Sequence, residues 1–173
     1  MSPTPAAGAP LPPPQPEPPP QPEPQPLPLP AAGPLAALDP GRCKCGLVRC
    51  DPARQQVLAA LILEPEQAFA QLRAWQAEGA VAGVVLGDGT GSRHWRQRLA
   101  PLLPVQLVDE RRTTLEARQR YWQLFPPRGW RRLLPEGLRQ PPRPWDDVVA
   151  QLLLERHLGQ PLTRLPSLPP AAF

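Results

Sequence analysis

Apolar and polar positions change rhythm several times along this chain, and each change predicts an element. Leu35 to Leu38 is a short apolar run ended by the Asp39-Pro40-Gly41 turn. Gly46 to Cys50 reads as a second strand, and Gln56 to Leu63, after the Asp51-Pro52 turn, as a third. Between Pro65 and Gly79 the period lengthens: Phe69, Leu72, Trp75 and Gln76 share one face at helical spacing. Val81 to Leu86 is nearly continuous in apolar residues, as in a strand buried on both faces. A helix from about Arg93 to Leu102, a strand from Val105 to Val108, a helix opening at Thr113 and a last helix from Asp146 to about Leu158 follow. Thr113 and Glu116 have capping-box spacing, which marks that helix start.

The order is β-β-β-α-β-α-β-α-loop-α. Three consecutive antiparallel strands feeding parallel crossovers predict an α/β fold: a mixed five-stranded sheet, three strands antiparallel and then two parallel, flanked by helices. That is the element order of an RNase H-like domain. The pattern bounds the domain at residues 35–159. Residues 1–34 hold about half of the 31 prolines, in Pro-Gln-Pro-Glu-Pro repeats with few large apolar side chains, and are expected to form an extended, disordered tail. Residues 160–173 return to Pro and Ala and are expected to trail off similarly. The tail has no basic segment followed by an apolar one, so no secretory leader is expected, and no apolar run is long enough to span a membrane. A cytoplasmic location is the expectation.

Charge narrows the class of partner. The tail holds two of the 15 acids and none of the 19 Lys and Arg residues, so the remainder carries about +6. A field of that sign on a small domain attracts polyanions, nucleic acid foremost. Arg128, Arg131, Arg132, Arg139 and Arg143 gather between the last two helices with Trp130. Arginine clamps phosphate and an exposed Trp stacks on an unpaired base, so this loop is a candidate substrate clamp. A solvated loop whose Trp packs on the core is the alternative. Cys43, Cys45 and Cys50 lack a fourth zinc ligand at any usual spacing and are read as reduced thiols.

Three acids stand where chemistry would need them. Asp39 ends the first strand, Glu110 follows the Val105 to Val108 strand, and Asp146 opens the last helix. Ligands of open α/β sheets bind beyond the carboxyl ends of strands, and divalent cations take hard carboxylate oxygens. If the three converge, they hold Mg²⁺ or Mn²⁺ for phosphodiester hydrolysis. Asp88, Asp109 and Asp147 are neighbouring acids, any of which could add a ligand.

The motifs Asp39-Pro40-Gly41 with Lys44-Cys45-Gly46-Leu47-Val48, Asp109-Glu110-Arg111-Arg112-Thr113-Thr114 with Glu116-Ala117, and Asp146 with Ala150 and Leu153-Leu154 occur in order. Together they resemble the YqgF/RuvX family of RNase H-like nucleases. The resemblance implies a nuclease processing pre-16S rRNA, a family also described as Holliday-junction resolvases, with Asp39, Glu110 and Asp146 catalytic on Mg²⁺ or Mn²⁺. Lys44, where the family usually has Arg, and Arg111 join the loop arginines as expected nucleic-acid contacts. Gly87-Asp88-Gly89 stands where a Gly-Leu-Pro turn is usual, and the basic loop is longer than in typical members. The substrate is then pre-rRNA or branched DNA, acted on by a monomer or homodimer. A binder without turnover, serving ribosome assembly, is the alternative from another class.

Overall fold

The computed structural model describes residues 27–111 and 113–165; the expected disorder of residues 1–26 and 166–173 lies outside them. Among the described residues, six strands form one sheet in the order β5-β4-β1-β2-β3-β6. Strands β1 (Leu35–Asp39), β2 (Cys45–Cys50) and β3 (Gln56–Leu63) make an antiparallel meander. On the other side of β1, β4 (Gly83–Gly87) and β5 (Val105–Val108) run parallel to it. Helices α1 (Pro65–Ala77) and α2 (Ser92–Leu99) supply the crossovers. Helices α3 (Thr113–Leu124) and α4 (Asp146–Leu158) follow β5. This is the RNase H-like mixed sheet that the strand pattern predicts, with one strand more than the five expected.

Alternation along the strands divides the core into two layers. Ala36 and Leu38 of β1, Leu47 of β2 and Val84 and Leu86 of β4 pack with Leu72 and Trp75 of α1 and Trp95 and Leu99 of α2. Leu35 and Ala37, Val48 and Val85 point the other way, against Ala150, Leu153 and Leu154 of α4. Ala68 rather than Gln76 completes the apolar stripe of α1. Helix α3 packs mainly on α4, through Ala117, Tyr121, Trp122 and Val148. Cys45 lies in one layer and Cys50 in the other, so the two thiols cannot share an ion.

The domain extends beyond both edges expected from sequence. Leu29 packs on the α4 layer, and Arg54 binds the carbonyls of Pro30 and Gly33 at 2.7 and 2.8 Å. At the other end β6 (Thr163–Arg164) pairs in parallel with the start of β3, a sixth strand in a segment read as tail. Two-residue strands give no periodic signal. What holds this one is a buried polar ladder along α4.

Asp147, Gln151 and Glu155 recur at four-residue intervals on α4 and are all buried. Arg164 meets Asp147 at 2.8 Å and Gln151 at 2.6 Å. Gln151 and the Leu162 amide both bind Glu155 at 2.8 Å, and Arg120 of α3 meets Glu155 at 2.6 Å. Among the described residues, no helix is long and apolar enough to cross a membrane.

Candidate metal centre

The strand alternation that sends Leu35 and Ala37 toward α4 sends Asp39 there too, at the carboxyl end of the central strand. Opposite Asp39 in the ladder stands Gly46, and a Cβ there would overlap the Asp146 carbonyl. The missing side chain is what lets the first turn of α4 settle against the sheet edge. Asp146 is thereby brought beside Asp39.

Glu110 arrives from β5, across β4. A Cβ on Gly87 or Gly89 would collide with its carboxylate, so the Gly-Asp-Gly turn is the cradle in which that group rests. The Gly89 amide donates to the carboxylate, while Oε1 is buried without a hydrogen-bond partner among the described residues. Asp88 accepts the Glu110 amide at 2.9 Å. Thr113 Oγ1 donates to the Glu110 carbonyl and accepts from Arg156 at 2.9 Å. Glu116, expected to complete a capping box, instead ion-pairs with Arg156 at 2.6 Å.

Asp39, Glu110 and Asp146 line one cavity of about 400 Å³, walled by Thr113, Pro144, Trp145 and Val149. Burial first, then the charges of Glu110 and Asp146, raise the Asp39 pKa from 3.8 to about 7. All three causes act in the same direction. Glu110 is also raised, by burial and then by Asp88, against the opposing Gly89 hydrogen bond. Crowded carboxylates of this kind favour protons or cations.

The donor set fits a divalent ion: hard oxygens, mutually repelling, one of them buried and unsatisfied. As they stand the carboxylates share the cavity without closing on one point. Among the described residues, no three His, Cys, Asp or Glu side chains are gathered tightly enough to hold an ion.

The neighbouring acids have other partners. Asp109 accepts the Arg111 amide at 2.7 Å, and Asp147, fully buried, is held between Arg143 and Arg164, each at 2.8 Å. A helical rotation of about 100° separates Asp147 from Asp146 and puts one in the ladder, the other in the cavity. Of the predicted nucleic-acid contacts, Arg143 is committed to Asp147, and Arg139 donates to the carbonyls of Leu134 and Arg132. Lys44 is half-buried near the Gly41 turn, and Arg111 is exposed with its carbonyl bound by Arg156. Arg128, Arg131 and Arg132 line a second cavity, and Trp130 is 65% exposed. Sequence reasoning missed Arg156 and Arg164, whose roles depend on contacts 40 and 17 residues away.

No family model matches the chain, and no curated protein does. The YqgF/RuvX resemblance is therefore carried by the motifs. Among solved structures, the chain is similar to RuvC of Thermus thermophilus at 14% identity, with a TM-score of 0.41, 73% of this chain and 97% of that one covered. It is also similar to T. thermophilus RuvC in complex with a Holliday junction substrate, at 14% identity, a TM-score of 0.38 and 73% and 96% coverage. At that identity and score neither likeness adds to what the sheet order and the carboxylates say by themselves.

Proposed function

We propose that this chain is a metal-dependent nuclease that hydrolyses phosphodiester bonds in the cytoplasm, with the ends of pre-16S rRNA as its substrate. The observation that carries this reading is the meeting of Asp39, Glu110 and Asp146, from three separate elements, in one cavity where their charges repel. Structural carboxylates are usually paired; these would be stabilised by Mg²⁺ or Mn²⁺.

Divalent ions, when bound, would supply an activated water and stabilise charge on the departing oxygen. The protein's part is to hold the ligands and the substrate. Asp39 is fixed by the central strand, Glu110 by the Gly87 to Gly89 cradle and Asp146 by the seating of α4 on Gly46. Pro144 and Trp145 wall the cavity beside the carboxylates. Lys44, Arg111, Arg128, Arg131 and Arg132 supply cationic charge for the backbone, whereas Arg139 and Arg143 shape the loop.

The test is cleavage of a pre-16S rRNA end and a four-way DNA junction, with Mg²⁺ or Mn²⁺ and with EDTA, alongside solution mass. Metal-dependent trimming of the RNA, abolished in Asp39→Asn, is expected. Paired cuts in the junction by a dimer would shift the substrate to branched DNA. Tight binding of either nucleic acid with no cleavage under any metal would refute the enzyme and leave a ribosome-assembly binder.

A further inference from the structure

The larger of the two cavities described is not the one that holds the carboxylates. A space of about 970 Å³ opens between the end of α3 and the basic loop. Its floor is aromatic. Tyr121 stands edge-on to Trp122 at 5.1 Å between ring centres and lies 5.0 Å from Phe125. Its rim is cationic, with Arg128, Arg131 and Arg132 lining it and no described acid among the lining residues.

The cavity is built rather than left by a slack loop. The Trp122 indole donates to the Arg139 carbonyl at 3.3 Å, and Arg139 reaches back to the carbonyls of Leu134 and Arg132. Behind the aromatic cluster the Arg143 guanidinium lies 5.4 Å from the Tyr121 ring centre and 5.1 Å from that of Phe125, anchored through Asp147. Pro142 lines this cavity and Pro144 the carboxylate cavity. Two residues of extended chain span at most about 7 Å, so the two cavities adjoin.

We propose that this cavity receives an unpaired nucleotide adjacent to the bond cleaved in the carboxylate cavity, so that the substrate class is nucleic acid with a single-stranded or bulged nucleotide at the cut. The inference rests on the nuclease reading and names the substrate feature it requires. Of the three rings, Phe125 is only half-buried and offers a stacking face to a base, and the arginines of the rim take its phosphates. The volume lies within the range of about 300–1,000 Å³ typical of sites that enclose a small ligand. A base inside a duplex cannot enter without leaving its stack, so an already unpaired nucleotide is favoured.

The test uses the full chain in EDTA, where binding is separated from cleavage, with 2-aminopurine as the probe base. The substrates are a perfect duplex, the same duplex with the probe as a one-nucleotide bulge, and the single strand. The bulged and single-stranded forms are expected to bind roughly tenfold or more tightly than the duplex, with quenching of the probe. The double variant Arg131→Lys, Arg132→Lys retains charge and loses the planar forks. It is expected to lose most of the preference for the bulged and single-stranded forms over the duplex and show an unchanged circular dichroism melt.

Equal affinity for all three substrates, or a preference unchanged in the lysine variant, overturns the proposal. Metal-dependent cleavage of fully paired substrate without preference does so while leaving the nuclease standing. Preference and quenching without cleavage under Mg²⁺ or Mn²⁺ support the pocket and sink the nuclease reading. Tight binding of an acidic peptide with no response to any oligonucleotide would assign the cavity to a protein partner.

Discussion

Replacing Asp39 by Asn should make the metal-free protein more stable at pH 8. Asp39 ionises at about 7 in the folded chain against an ordinary 3.8, because burial and the neighbouring Glu110 and Asp146 oppose its charge. Between those values the folded state keeps a proton that the unfolded state has released, so stability falls as pH rises across that window and levels off above about 7. One pH unit of displacement corresponds to about 1.4 kcal/mol, which makes the ionised carboxylate cost about 4 kcal/mol at pH 8. An amide of the same shape escapes that cost. At pH 5 the advantage of Asn should shrink to about 1–2 kcal/mol, since the folded carboxyl is then already protonated.

Urea unfolding of both proteins in EDTA at pH 5 and pH 8 measures the difference directly. Adding Mg²⁺ or Mn²⁺ at pH 8 should reverse the order, because an ion that binds only the folded wild type stabilises it by mass action. An Asn variant no more stable than wild type at pH 8, or one whose advantage does not change with pH, would refute the electrostatic account of the cavity.

Gly46→Ala should cost roughly 1–3 kcal/mol, as overpacking does, and reduce cleavage, because the new methyl overlaps the Asp146 carbonyl and pushes α4 off the sheet edge; thermal melts and activity read both. Gly87→Ala meets only the end of the Glu110 side chain, so its melting should stay within about 1 kcal/mol of wild type while calorimetric Mn²⁺ affinity falls. Arg164→Met leaves the fully buried Asp147 with one guanidinium instead of two. A loss of roughly 3 kcal/mol in denaturant unfolding is expected, and a neutral result would show that the ladder does not hold β6 to the domain.

Much of the fold was legible because its elements are local and strongly patterned. The limits of β3, β5 and α4 fall where the apolar periods and their flanking turns put them. The layered sheet follows from alternation, since every second residue of β1, β2 and β4 must find cover on the same side. Asp39 and Glu110 stood out because each follows a strand, and Asp146 because it opens a helix.

The sequence by itself determined which acids lie at element ends, the mixed sheet and the positive charge of the domain. Tertiary structure decided which of those charges are available. Asp147, a possible extra ligand by sequence, is occupied by Arg164 and by Arg143, itself a candidate nucleic-acid contact, whereas Asp146, one position away, faces the cavity. The reason is rotation about a helix axis combined with contacts made across the sheet, including a two-residue strand too short to carry a pattern. The two glycines behind the carboxylate cavity belong to the same category. Gly46 and Gly87 matter for the atoms that fill the space they leave, and those atoms come from residues 100 and 23 positions further along the chain.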